Sequence, residues 1–559
     1  MTPHTFSHAN PYRSPRMPVF ARNVVATSHP LAAQAGLRLM AQGGNAVDAA
    51  VAAAAVMTLV EPCSNGLGSD AFCILWDGQQ LHGLNGSGCA PAAWDVAYFE
   101  RKYGASVNSL PLRGWDSVTV PGAVGAWVAL NQRFGKKSFE EVLAPAIEIA
   151  ERGYAVPVVV AEKWAAAALL PELISQPGFA QTFLPRGRAP HVGELFRMPG
   201  AARMLRSLAA SHGQSLYGGE IAQALAAQAA AQGGAMTVAD LAAYQPEWVT
   251  PIAQGYHGCE LHEIPPNGQG IAALIALGIL QHFDITAQAV DHAATQHLQI
   301  EAMKLAFADV YRYVAEPACM QVSVEQMLDP AYLASRARLI DPRRAQVFAA
   351  GQPSDVHRLG GTIYLTAADE NGMMVSFIQS NYQGFGSGVV VPEFGLSLQD
   401  RGHGFNLDAA SANCVAPGKR PFHTIIPAFL TRAGAPLMSY GVMGANMQPQ
   451  GHMQTLVRML DFGQNPQIAC DAPRWRFNQG LSINVEASMA TSAVQALVDM
   501  GHQVDVLQDS YQDFGAGQFI WRMDGTGAAG AAASAADGAE FEGYVAASDA
   551  RRDGQVAGF

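Results

Sequence analysis

Hydrophobic positions along the chain change period several times, and each change marks an element. Apolar residues run unbroken through Val24-Val25-Ala26-Thr27-Ser28, the mark of a short buried strand. From His29 to Gln42 leucines and alanines recur at helical spacing until Gly43-Gly44 stops them. Asn45, a good N-cap, introduces a second helix, and the small side chains of Ala46 to Val60 suit close packing. That run is about two-thirds the length a membrane-spanning helix needs, so a buried helix is expected. The segment Asn65-Gly66-Leu67-Gly68-Ser69-Asp70-Ala71-Phe72 leads into two strands, Cys73 to Asp77 and Gln80 to Asn85, which form a hairpin in the core.

From Ala92 to Asp355 the spacing predicts mostly helices joined by long connectors, with amphipathic runs at Phe139 to Arg152, Ala201 to Ser211, Ile221 to Gln232 and His297 to Ala315. A strand ending at Ile264 leads through Pro265-Pro266 to an apolar helix, Ile271 to Phe283. Leu359 to Tyr382 then holds two β-rich runs around Asn371-Gly372, a pair that tolerates φ > 0 and predicts a tight hairpin turn. The partner of Thr362 across that hairpin falls between Gln379 and Asn381, which brings the hydroxyls of Thr362 and Ser380 together. Further on come a strand from Ile425 to Thr431, a glycine-rich turn from Gly441 to Asn446 and a helix from about Pro449 to Phe462. Strands and helices alternating in this way fit a layered α/β body. The run 524–538 is Gly/Ala/Ser-rich and of low complexity, the composition of a flexible surface loop.

Composition narrows the function. With 14% charged residues, 49% hydrophobic residues and 56 glycines in 559, the chain has the makeup of a compact, loop-rich protein. A formal charge of −12 argues against nucleic acid or an anionic membrane as partner, so an anionic substrate must be held by local cations. The seven cysteines are scattered and odd in number, which predicts buried thiols in a reducing compartment. Met1 to Val24 lacks an apolar core of signal-peptide length, and a cytoplasmic location is expected.

Chemistry gathers at Thr362. The diglycine Gly360-Gly361 reaches backbone conformations closed to other residues and lets the Thr362 hydroxyl fold back onto the Gly361 carbonyl, a geometry suited to self-cleavage. A glycine-rich turn opening a helix at Gly441 to Ala445 aims backbone N–H groups at one spot, the makings of an oxyanion hole. Other readings fail: Gly384-Phe385-Gly386-Ser387-Gly388 runs into an extended valine segment with no helix to hold a phosphate, and His262-Glu263 lacks the second histidine of a zinc protease.

The order Gly-Thr, strand, Asp369-x-x-Gly372, strand, Phe385-Gly386-Ser387-Gly388 resembles the γ-glutamyltranspeptidase family of N-terminal nucleophile hydrolases, as does Gly43-Gly44-Asn45-Ala46-Val47-Asp48-Ala49-Ala50. The resemblance implies an αββα sandwich and a precursor that cuts itself between Gly361 and Thr362, giving a large subunit (1–361) and a small subunit (362–559). These stay associated as one body, with room for a dimer of heterodimers. It implies that Thr362 is the nucleophile and its freed α-amine the base, that Ser380 orients it, and that the N–H groups of Gly444 and Ala445 form the oxyanion hole; Ala445 stands where relatives usually carry glycine. No cofactor and no metal are implied.

The glutamyl pocket of that family is changed. Ser87 replaces the arginine that holds the glutamyl α-carboxylate, and Gly404 the aspartate that holds the α-amine. His423-Thr424 replaces a serine pair, Tyr382 an asparagine, and Arg401 a neutral glutamine. Arg401 offers a bidentate clamp for a carboxylate close to the nucleophile. This pattern resembles the branch that includes oxamate amidohydrolase and implies a small anionic amide and water as substrates, bound by Arg401, Tyr382, His423, Thr424 and Ser87. A γ-glutamyl hydrolase or transferase and an uncleaved binding protein are the alternatives.

Overall fold

The structure, a computed structural model, describes residues 16–348, 360–523 and 543–559, so the low-complexity run 524–538 lies outside the described residues. Two seven-stranded sheets face each other. The first runs, in spatial order, Gln555–Gly558, Val24–Thr27, Gly360–Ala368, Met374–Gln383, Asp70–Trp76, Leu81–Gly86 and Glu247–Val249. The second runs Val19–Ala21, Gly543–Ser548, Gly517–Met523, Ala435–Val442, Ala428–Arg432, Cys259–Glu263 and Ile252–Tyr256. Both interleave strands from before and after residue 361.

Side-chain alternation along the strands divides the interior into three layers. Ile363, Leu365 and Ala367 point outward from the first sheet into a core shared with the helices Pro30–Ala41, Ala46–Val60 and Phe139–Arg152. Tyr364 and Ala368, with Phe72, Ile74, Ile378, Phe429 and Ile520, fill the layer between the sheets. The helices Ile271–Leu280, Ala293–Tyr313 and Met447–Leu456 cover the second sheet. The result is helix, sheet, sheet, helix, the αββα sandwich expected.

The Ala46–Val60 helix is buried along its whole length. Asn45 caps it, accepting from the N–H groups of Val47 and Asp48 at 3.1 Å each, while Asp48 closes the capping box by accepting from Asn45 N at 3.0 Å. The nucleophile hairpin is tied to this helix: Asp369 Oδ2 accepts from Ala46 N at 2.9 Å, and its Oδ1 accepts from Asn371 N and Met373 N. That carboxylate also corrects the predicted tight turn. The strands are joined by a five-residue loop, Asp369 to Met373, with Gly372 at φ 86°, because Asp369 gathers the loop's N–H groups around itself.

Other departures have similar causes. The region expected to be mostly helical contains the strand Ile252–Tyr256, which turns back at His257-Gly258 (φ 48° and 73°) to pair with Cys259–Glu263. Among the described residues the seven cysteines form no disulfide, but Cys319 is exposed and Cys89 and Cys414 are half-buried, so they are not uniformly core thiols. Among the described residues no helix is long and apolar enough to cross a membrane.

Candidate active site

Register places the chemistry at one end of the inter-sheet layer. The two strands of the hairpin pair Gly361 with Tyr382 and Ile363 with Gln379, so a bulge leaves Thr362 facing both Ser380 and Asn381. Thr362 has the same parity as Tyr364, which places its side chain between the sheets, and Ser380 shares that layer with Ile378. The Thr362 hydroxyl donates to Ser380 Oγ at 3.3 Å, and Ser380 Oγ also accepts from Tyr382 N at 2.7 Å. Tyr382 is held at φ 80°, a backbone conformation costly for a bulky residue and typical of a site that the surrounding structure over-determines.

The facing sheet delivers the glycine-rich turn. Thr366 Oγ1 and Ser439 Oγ stand 2.6 Å apart across the layer, and a Cβ added to Gly441 would lie 2.5 Å from the ring of Tyr364. The two strands therefore pass in opposite directions, and continuing the pairing brings Thr362 toward residues 443–445. There Gly444 has φ 115° and Ala445 φ 52°. The Gly444 carbonyl accepts from Met447 N at 2.9 Å, so the trans peptide plane turns the Ala445 N–H away from the helix that follows. Among the described residues neither the Gly444 nor the Ala445 N–H has a hydrogen-bond partner. The left-handed geometry at 445 explains why glycine is the less strained choice there and why alanine still presents the donor.

Arg401 enters from the short 3₁₀ turn Arg401–Gly404. Its guanidinium lies 4.6 Å from the centroid of the Tyr382 ring, and Nη1 donates to Thr424 Oγ1 at 2.8 Å. Gln269 Nε2 then donates to the carbonyls of Thr424 (2.6 Å) and Ala445 (2.9 Å). One chain of contacts thus runs Thr362, Ser380, Tyr382, Arg401, Thr424, Gln269, Ala445. Every member of it is buried, with Arg401 only 1% exposed.

His423 and Ser87 sit one step behind. His423 Nε2 meets Asp70 Oδ2 at 3.2 Å, and its Nδ1 accepts from Ile425 N at 3.4 Å. Burial, reinforced by the Arg401 charge, holds its imidazole well below the usual range. Ser87 joins an amide network: its hydroxyl donates to Asn85 Oδ1 at 2.7 Å and accepts from Asn267 Nδ2 at 3.2 Å. Asn267 O in turn accepts from His423 N. Among the described residues Ser87 makes no hydrogen bond to Thr362, Ser380 or Arg401.

Sequence reasoning missed Asp70, Gln269 and Asn267. Asp70 is opposite Ser380 in the sheet and belongs to the inter-sheet face with Phe72 and Ile74. A lone acid opening an otherwise apolar strand was the available signal. Gln269 and Asn267 sit in the turn after Pro265-Pro266, where only their polarity set them apart.

A polar cluster elsewhere, on the Ala293–Tyr313 helix, gathers side chains of the kind that bind metals. His297 and Glu301 meet His502, with ligand atoms within 4.8 Å of one another. Yet His297 Nδ1 and His502 Nε2 are hydrogen-bonded at 2.9 Å, and Lys304 Nζ donates to Glu301 Oε1 at 2.7 Å. An ammonium bound to the cluster's carboxylate opposes a dication there, and the group reads as a polar clasp.

The Thr362–Ser380 bond makes a direct prediction. Ser380→Ala should lower kcat by roughly ten- to a hundredfold, about 1.4–2.7 kcal/mol of barrier, with little change in KM, and Ser380→Thr should restore most of the rate. Steady-state kinetics on fully cleaved enzyme checks it; an unchanged kcat in Ser380→Ala rejects the role.

A family model described as Gamma-glutamyltranspeptidase matches residues 32–559. The chain is 34% identical to the oxamate amidohydrolase proenzyme of Klebsiella pneumoniae over 91% of its own length and 96% of the relative's. It is also 34% identical to a glutathione hydrolase-like proenzyme of Bacillus subtilis, over 87% of this chain and 92% of that one. The crystal structure of a cephalosporin acylase from Bacillus halodurans superposes with a TM-score of 0.91 at 46% identity, covering 100% of this chain and 99% of the other.

Proposed function

The chain belongs to the γ-glutamyltranspeptidase family, and on that premise we propose that it is a self-processing hydrolase of a small amide bearing a carboxylate, with oxamate as the type substrate. The observation that carries this reading is the buried Arg401 stacked on Tyr382, whose N–H shares Ser380 with the Thr362 hydroxyl. A buried cation reached from the Thr362 hydroxyl through Ser380 and Tyr382 suits a substrate that carries a carboxylate near its amide.

In the precursor, Thr362 Oγ attacks the Gly361 carbonyl carbon; the C–N bond breaks, leaving an ester on Oγ and a free α-amine on Thr362. Water hydrolyses the ester to the Gly361 carboxylate. Activity starts only then, because the Thr362 nitrogen is an amide before cleavage and a base after it. In turnover the amine takes the Oγ proton as Oγ adds to the substrate amide, the oxyanion lies against the N–H groups of Gly444 and Ala445, and the proton passes to the departing ammonia. Water then frees the acid by the same path. The interleaving of both sheets across residue 361 supports pieces 1–361 and 362–559 remaining one body. Cysteines that form no disulfide among the described residues fit a reducing compartment, in keeping with the cytoplasm.

Charge accounting tests the substrate. A γ-glutamyl group brings a carboxylate and an ammonium, and Ser87 and Gly404 supply neither of the anchors that the family uses for them. An ammonium near Arg401 is poorly compensated, so glutamyl substrates should be rejected by several kcal/mol relative to small amide acids. Ammonia release from oxamate should exceed p-nitroaniline release from γ-glutamyl-p-nitroanilide; the reverse order replaces this reading with a γ-glutamyl hydrolase or transferase. A single uncut band on a denaturing gel would instead favour a binding protein. A second reading, an acylase, is favoured by the 46% identity to the cephalosporin acylase, and faster deacylation of a cephalosporin than of oxamate would establish it.

A further inference from the structure

Behind Arg401 lies a pair of titratable groups that the chemistry above does not use. Asp70 opens the Asp70–Trp76 strand directly opposite Ser380, on the face that carries Thr362. Its Oδ1 accepts from Gly122 N at 3.1 Å and its Oδ2 faces His423 Nε2 at 3.2 Å; both residues are fully buried. His423 is followed by Thr424, which holds Arg401. The pair therefore touches the anion site by the backbone on one side and by the sheet register on the other.

We propose that the buried Asp70–His423 pair tunes the specificity of the anion pocket, its net charge setting how strongly Arg401 holds a substrate carboxylate. The inference rests on the reading that Arg401 receives that carboxylate.

The reasoning is electrostatic. With no proton to spare the pair carries one negative charge, which offsets the guanidinium; with one proton more it is neutral and leaves the guanidinium's field to the substrate. Burial pushes the Asp70 carboxyl up to about 7, against the opposing pull of Arg401, the Gly88 and Gly122 N–H groups and Arg420. The other titratable groups around it stay neutral near that pH: burial holds the Cys89, Tyr217 and Tyr244 protons on and keeps His423 unprotonated. Asp400 is the rival, also pushed up to about 7 by burial and also under the charge of Arg401. It differs in having its own guanidinium, Arg113 Nη1, 3.6 Å from Oδ2. Among the described residues Asp70 has no guanidinium that close, and of the two arginines that act on its carboxyl, Arg401 and Arg420, Arg401 acts more strongly.

The sign follows. The carboxyl's pKa is raised, so the pair is neutral below about pH 7 and negative above it. Binding of an anion should weaken as pH rises through 7. The experiment measures KM and kcat for oxamate and for its neutral counterpart oxamide from pH 6 to 8.5 in cleaved wild type, Asp70→Asn and Asp400→Asn. The expected result is an oxamate KM that climbs about tenfold between pH 6 and 8 in wild type and in Asp400→Asn. In Asp70→Asn, whose pair stays neutral, the oxamate KM is flat and low, and the change falls on KM and not on kcat. The freed Thr362 amine titrates in the same range, but it affects both amides alike, so the oxamate-to-oxamide ratio isolates the pair.

A flat ratio in wild type overturns the inference, as does a dependence that survives Asp70→Asn or disappears in Asp400→Asn. If Asp70→Asn does not cleave itself, the wild-type ratio and its persistence in Asp400→Asn decide. Failure of the underlying reading looks different: no turnover of oxamate, or an oxamate KM unmoved by Arg401→Gln, removes the premise whatever the pH profile shows.

Discussion

Thr362→Ala is expected to leave a single uncut chain and no detectable hydrolysis. The expected loss is at least about a thousandfold, because in the proposed mechanism the same hydroxyl opens the Gly361 peptide bond and attacks the substrate, with no other group to replace a missing nucleophile. Wild type should migrate as pieces of 361 and 198 residues that co-purify, since each sheet is built from both pieces. The substitution removes one buried hydroxyl whose contact is the 3.3 Å bond to Ser380, so the fold should survive, and an unchanged circular dichroism spectrum checks this. Thr362→Ser, which keeps the hydroxyl, should still cleave. A Thr362→Ala protein that cuts itself at residue 361 would sink the assignment of the nucleophile.

Arg401→Gln should raise KM for oxamate by roughly ten- to a hundredfold, the equivalent of a desolvated charge-assisted pair worth about 1.5–3 kcal/mol. Self-cleavage should be intact, because no external carboxylate takes part in it. Glutamine keeps a donor for Thr424 Oγ1 but loses both the charge and the planar fork that stacks on Tyr382. Lysine in its place keeps the charge without the fork and should recover only part of the affinity. The comparison is made on cleaved protein with oxamide as the neutral control, whose KM should move little. Equal losses for both amides would mean that Arg401 braces Tyr382 and does not bind the carboxylate.

What could be read in the chain was local. The hairpin, the Asn45-capped helix and the closeness of Thr362 and Ser380 follow from period-two and period-3.6 patterns within a few dozen residues, and the Thr362–Ser380 pair is separated by only 18 positions. Even there, the Asp369 carboxylate drew Ala46 N and the loop's own N–H groups to itself and set a five-residue loop where a tight turn was expected. The Arg401 environment was legible only in part: its residue type announced a carboxylate clamp, but Ser87, named with it, joins Asn85 and Asn267 instead.

By itself the sequence determined which residues share a face, because alternation along a strand is set by backbone geometry. Thr362, Tyr364 and Thr366 had to point one way, and so did Ser376, Ile378 and Ser380. Only the tertiary structure decided what stands opposite that face. Asp70 meets His423 across 353 positions, and Gln269 bridges Thr424 and Ala445 across 155 and 176. Such contacts depend on how two twisted sheets settle against each other under the helices that cover them. That packing is the summed outcome of three hydrophobic layers, and no local pattern encodes it.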